Sequence, residues 1–477
     1  MGDGIGVQFG GTKYLWGNVP AFDILEMASN EGETYAGDLH LLFAASGDLR
    51  NVIKTIAHLP SSYDHSLEIT INDRDLDIAA RNLIFLLVAL IVENRDEAID
   101  CIIHLWYSAL VRVSDIEILN NQIRPLIQDV CEKVKSKSPK TILGKTWTFG
   151  KRNLRIVLQQ TSWNRLLSFF DKPVGLTAEM ASQIRADNTL AHSRRDYRDR
   201  YMTYLTPPNE SHSTKPNPTF FQTIDMWPMK DNADPHHGWS LEEVSNTSSG
   251  AATADTYGKL FFYIRGVLDS FLDRVSDLRV SFKLLNFDAF DLPDHLDAGS
   301  FSRIDVSNIS DIGWLGIHRT LYLMVPLLQT PAQNPHATLI TLFMNAVDET
   351  LTVEDQMQGL TPNSRATKTL LQYLPPTGKP SSTHDPTLIK FSYGRELVGT
   401  YDHIFERYMR KFEIRKAGDL LGAMMKENHT IIEKWPYRLK LRPGQPGAQD
   451  EFDRRMRDGV SGKERYVEWK RVHQGIL

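Results

Sequence analysis

Residues 38–59 run from an apolar stretch through a small-residue turn, Ala44-Ala45-Ser46-Gly47, into Val52, Ile53 and Ile56 at helical spacing. The pattern predicts a strand, a tight turn and a helix. Residues 66–92 repeat that unit. A short β-branched run ends at Asn72-Asp73, Asp75 or Asp77 falls in a helical first turn, and the helix continues through LIFLLVALIV, residues 83–92. That run is about half of the ~20 residues a membrane-spanning helix requires, so it predicts a buried core helix and no membrane partner. A βαβα start argues for a parallel sheet with helices on its faces, because parallel neighbours need a long crossover.

From 95 to 278 apolar residues recur mainly at helical spacing, as in DEAIDCIIHLWYSALVRV, NLRIVLQQTSWNRLLSFF and DTYGKLFFYIRGVLDSFLDRV, which predicts a helical insertion. Inside it, residues 206–254 are rich in Pro, Ser, Thr and Asn and read as a loop leaning toward disorder, pinned to the surface by Phe220, Phe221, Trp227 and Trp239. Strands then return: residues 278–285 lead to Asp288, FSRIDVSN follows, then a helix over 313–329 and a fifth strand over 337–345. The expected organisation is a Rossmann-like α/β domain in two parts, 1–94 and 279–375. The helical insertion 95–278 interrupts it, and a charged, mostly helical region, 376–477, follows.

In an open parallel sheet ligands bind outside the carboxyl ends of the strands. The corners at those ends carry polar residues. The turn Ala45-Ser46-Gly47 offers backbone N–H groups at a helix amino terminus. Asp73 can accept from a ribose diol, Asp288 from an adenine amino group, and Ser307-Asn308 would face a reacting centre. Together they form the layout of an adenosyl pocket. Each corner also has a plainer reading: Gly47 as a positive-φ turn, Asp73 and Asp75 as helix caps, Asp288 as a solvated loop carboxylate.

Composition narrows the classes. A net charge of −5 and a pI near 6.3 give no global attraction to nucleic acid. The two cysteines, Cys101 and Cys131, form neither a zinc motif nor a disulfide framework, which fits a reducing cytosol or nucleus; the cytoplasm is the expected location. His236-His237 has no third ligand at a useful spacing, so no metal is expected. Arg194, Arg195 and Arg198, interleaved with Tyr197 and Tyr201, read either as a solvated helix face or as a surface for a protein partner.

The order of LLFAASGDLRNVIKTI, ITINDRDLDIAARN, LLNFDAFDLP and FSRIDVSN resembles motifs one to four of the class I S-adenosylmethionine-dependent methyltransferases. More narrowly, YLWGNVPAFDIL, LHLLFAASGDLRNVIKTIA, ARNLIFLLVALIVE and LWYSALV resemble the dynein axonemal assembly factor family, which has a methyltransferase-like fold. They also resemble related uncharacterised fungal domains, some attached to MYND zinc fingers; this chain has no MYND cysteine set. The resemblance implies a class I methyltransferase-like Rossmann sheet in strand order 3-2-1-4-5. It implies S-adenosylmethionine as the cofactor to test at Ala45, Ser46, Gly47, Asp73, Asp288, Ser307 and Asn308. Two functions follow: an interaction or assembly factor with a degenerate adenosyl pocket, or an active methyltransferase of unnamed substrate. The first motif departs from the family pattern. FAASGDL has Gly47 alone where the family carries three glycines, and Phe43 stands near the position of its acidic residue.

Overall fold

The computed structural model describes residues 11–189, 214–230, 233–376, 378 and 386–472. Its strands are β1 (Leu39–Phe43), β2 (Ser66–Asn72), β3 (Leu110–Arg112), β4 (Ile142–Phe149), β5 (Arg152–Gln159), β6 (Thr214–Pro216), β7 (Arg279–Leu285), β8 (Arg303–Asp305), β9 (Thr338–Phe343), β10 (Ala423–Met425) and β11 (Arg465–Arg471). Nine of them form one mixed sheet in the order β10-β11-β9-β8-β1-β2-β7-β5-β4, while β3 and β6 pair separately. The pairs β2–β7, β7–β5 and β8–β9 are parallel. Just beyond β1, the Ser46 amide donates to Asn72 O at 2.9 Å and the Ala44 amide to Asp305 O at 2.8 Å, so β1 runs in the same direction as β2 and β8. Within this sheet the outer pairs β4–β5, β9–β11 and β11–β10 are antiparallel. The strands expected to end near 44, 72, 286, 307 and 345 end at 43, 72, 285, 305 and 343.

The chain clusters into two compact units. One comprises residues 1–23, 33–41 and 45–289, the other 24–32, 42–44 and 290–477. In the first, α1 (Arg50–Ala57) follows β1, and α2 (Leu76–Ile91) and α3 (Arg95–Tyr107) follow β2. Asp75 caps α2 by accepting from the Asp77 amide at 2.9 Å, which satisfies one of the orphan donors of its first turn. The apolar run of α2 is buried on every side, as its lack of a polar face predicts. A long helix, Thr256–Asp277, packs against α1 and α3 and leads directly into β7.

The structure corrects three expectations. The segment 95–278 is not wholly helical: β4 and β5 form a hairpin whose second strand extends the sheet beside β7. In NLRIVLQ the buried residues are Leu154, Ile156 and Leu158, a period of two that reads equally as part of a helical face when counted together with the true helix Gln160–Leu166 that follows. Within the expected loop, the described stretches 216–221 and 234–239 and the side chains of Trp227 and Met229 are largely buried, whereas 223–226 and most of 246–254 are exposed. Phe220, Phe221, Trp227 and Trp239 are all 2% exposed or less. Trp16, Phe220 and Trp227 lie against one another with centroids 5.4–6.1 Å apart, and the Arg185 guanidinium stands 4.3 Å over Trp227. His236, expected on a solvated loop, holds buried Asp234 at 3.1 Å and Thr256 O at 3.1 Å.

The third correction is to the charged carboxyl-terminal region. It contains the helices Pro386–Val398, Asp402–Lys411, Ile414–Leu420 and Ala448–Arg455, but also the strands β10 and β11. In β11, RYVEWKR, the charges hide the strand because Glu468 points inward. It accepts from the Thr430, Ile431 and Ile432 amides at 2.9–3.0 Å and pairs with Lys426 at 2.7 Å. A carboxylate surrounded by backbone donors is stable where an unpaired one would not be.

Candidate functional site

In the first unit the corners after β1 and β2 meet. Gly47 adopts a left-handed φ of 57°, which lets the turn close tightly before α1. Its amide donates to Asp73 Oδ2 at 3.0 Å, and its carbonyl accepts from Asn82 Nδ2 of α2 at 2.8 Å. Ser46 Oγ also donates to Gly47 O, at 3.0 Å. Ala45, Ser46 and Gly47 are half-buried, so one side of the turn faces solvent.

Asp73 does more than cap a helix. Its Oδ1 accepts from the Asp75 amide at 2.8 Å while Oδ2 holds Gly47. Burial pushes this carboxyl up to about 6, against the opposing pull of the Asp75 and Gly47 amides. The neighbouring carboxylates Asp75 and Asp77 clasp Lys13, whose ammonium lies 2.7 and 2.9 Å from them. Burial works against the Lys13 charge, but these hydrogen bonds outweigh it and its pKa rises. Arg165 closes the cluster on Asp77.

The corner after β7 is bound to the same place by two asparagines that the sequence reading passed over. Asn72 and Phe287 exchange hydrogen bonds, Nδ2 to Phe287 O and the Phe287 amide to Oδ1, both at 3.1 Å. Asn286 Nδ2 reaches Asp73 O at 2.8 Å. Asp288 itself is exposed and lies 3.8 Å from Arg74. An asparagine at the last position of one strand or the first after another is a signal, because its amide can replace the ladder bonds that stop there.

Asp48, also unremarked in the sequence, is the acid that the fold uses most fully at this turn. It is buried, receives Arg50 Nε at 2.7 Å, the Gly17 amide at 3.0 Å and Trp106 Nε1 at 3.3 Å, and so fastens the amino-terminal segment to α1 and α3. The side chain next to Gly47 is thus committed to the core.

In the second unit the corner after β8 is strained. Ser307 has φ 51°, a region non-glycine residues enter at a cost of roughly 1–2 kcal/mol. Its amide donates to Asp305 Oδ1 at 3.0 Å and its carbonyl accepts from Leu342 at 3.0 Å, which fixes the turn. Asn308 offers its carbonyl to the Asp311 amide at 3.1 Å. Arg194, Arg195 and Arg198 lie outside the described residues.

Among the described residues no group of three or more His, Cys, Asp or Glu side chains could hold a metal ion, and no described helix is long and apolar enough to cross a membrane. A family described as a domain of unknown function (DUF4470) matches residues 15–111, the stretch that carries both the Gly47 turn and Asp73. No curated protein and no solved structure matches the chain.

Proposed function

We propose that this chain is an interaction or assembly-type protein of the cytoplasm, built on a class I methyltransferase-like sheet whose adenosyl pocket is reduced to its scaffold. The observation that carries the reading is the bond between Gly47 N and Asp73 Oδ2. In an adenosyl pocket the glycine-turn amide and the acid after the second strand both serve the ligand; here each satisfies the other. The strand order β7-β2-β1-β8-β9 supports the scaffold half of the proposal, since it reads 3-2-1-4-5 in chain order. The antiparallel β11 beside β9 speaks against a dinucleotide-binding sheet, which adds a sixth strand parallel to the others.

The residues present do not fit a complete adenosyl group. Asp73 keeps lone pairs beyond the two amides, because a carboxylate can accept about four bonds. But Ala45 and Ser46 place Cβ atoms where glycines would leave room, and Asp288 is engaged with Arg74. No transfer step is therefore routed through the cofactor. A second reading, an active methyltransferase of unnamed substrate, is favoured by the strain at Ser307, because left-handed non-glycine residues cluster at working sites. Titration with S-adenosylhomocysteine separates the two readings.

The partner surface we propose includes Arg194, Arg195 and Arg198, whose charge in an acidic protein would select an acidic protein segment rather than nucleic acid. Reversing the three to Glu and purifying the protein from cells tests this. Loss of a partner recovered by wild type supports it, and an unchanged set of partners from a folded variant refutes it.

A further inference from the structure

In the second unit the chain leaves β8 at Asp305, turns through Ser307 and returns at Gly316 to start the helix Ile317–Met324. The loop is closed on itself by the Leu315 and Gly316 amides, which donate to Ile309 O at 3.0 and 3.1 Å. Its side-chain anchor is Asp311. Asp311 Oδ2 accepts from the Met344 amide at 3.1 Å, the Asn345 amide at 3.2 Å and Asn345 Nδ2 at 3.0 Å, all at the end of β9. Asp311 Oδ1 is fully buried and has no hydrogen-bond partner among the described residues. We propose that Asp311 is a proton-operated latch: its neutral carboxyl holds the loop against the end of β9, and loss of the proton releases it.

The two oxygens make the argument. One is saturated by three donors, and the other is shut away from solvent with nothing to receive a charge. Burying a charge on an unsolvated oxygen costs more than burying a neutral O–H there, so the neutral acid, its proton on Oδ1 and the three bonds kept on Oδ2, is the favoured folded form. Two further titratable groups feel its charge. Tyr408, on the helix Asp402–Lys411, is also fully buried with a hydroxyl that lacks a partner among the described residues. Glu349, beyond β9, adds a negative field that is itself tempered by Lys411. Burial first, with Glu349 adding to it, pushes Asp311 up to about 7 against the pull of the Met344 and Asn345 donors. The latch thus works near neutral pH. Outside it the loop presents Ile312 and Trp314, 45% and 50% exposed, so its release changes what this surface offers. The inference does not rest on cofactor binding.

Hydrogen exchange of residues 306–316 tests it, comparing wild type with Asp311→Asn at about pH 5.5 and about pH 8.5, on either side of the folded-state value. The amide side chain keeps one acceptor for the three donors and cannot ionise. The latch predicts equal exchange at the lower pH and exchange several-fold faster in wild type than in the variant at the higher pH. Equal exchange at both would overturn it. If Asp311→Asn does not fold, Glu349→Gln decides: removing that charge must move the midpoint of the wild-type acceleration to lower pH, and an unmoved midpoint or no acceleration at all rejects the latch.

Discussion

The Gly47 amide lies 3.0 Å from Asp73 Oδ2, so the turn after the first strand and the corner after the second are joined by a hydrogen bond internal to the fold. The acid that a ligand would need is already at work. Its role is structural first, and the consequences can be measured.

Replacing Asp73 with Ala leaves the Gly47 and Asp75 amides without their acceptor, so chemical denaturation should show a loss of ~1–3 kcal/mol. The wild-type contribution also depends on pH. Because the folded-state pKa is raised to about 6, it is fully present below the unfolded carboxyl value of about 4 and is lost as pH rises through about 6. Equal stability of variant and wild type throughout would mean that neither bond of Asp73 helps to hold the fold.

Gly47→Ala isolates the backbone. A Cβ at this position meets nothing within 4 Å, so steric clash adds nothing and the cost is that of the left-handed φ, roughly 1–2 kcal/mol. Gly47→Asn should cost less, since Asn tolerates that region. A loss well above this range would mean that the turn is packed more closely than its geometry indicates.

The sheet was legible because β1, β2, β7 and β9 place apolar or β-branched residues at most or at alternate positions and end on polar corners; β9, for example, is buried at all of Thr338–Phe343. β5 and β11 were not. Leu154, Ile156 and Leu158 merge with a following helical pattern, and β11 has Arg465 and Glu468 among its buried residues. A strand whose inward charges are neutralised by a distant loop cannot be read from hydropathy. The same limit applies to the site. The sequence named Gly47 and Asp73 separately, but their bond depends on the registry of two strands, and the roles of Asp48, Asn72 and Asn286 depend on partners 31 to 215 residues away.

The stretch 214–230, expected to lie on the surface, supplies an aromatic core instead. Trp227→Ala removes a ring packed against Trp16, Phe220 and Phe221, so it should destabilise by ~3–5 kcal/mol. A change below about 1 kcal/mol in the denaturation curve, the size usual for surface positions, would restore the surface reading.

Glu468→Ala uncovers the Thr430, Ile431 and Ile432 amides and leaves the Lys426 charge without its carboxylate; a loss of ~3–5 kcal/mol is expected, as for other broken buried pairs. Burial opposes the Glu468 charge, but Lys426 and the Ile432 and Thr430 amides outweigh it and hold the pKa below the ordinary value. This contribution is therefore present above about pH 4 and fades as pH falls through the depressed folded value. Wild type and Glu468→Ala should converge in stability at low pH, and a constant difference would contradict the assignment.

Our proposal that the corners of an adenosyl pocket are spent on the fold itself is decided by calorimetric titration of the folded chain with S-adenosylhomocysteine. The account predicts no saturable heat, meaning a dissociation constant weaker than about 1 mM, or about −4 kcal/mol. A single site of about 10 µM or tighter, lost in Asp73→Ala, would contradict it and make the chain a cofactor-binding protein.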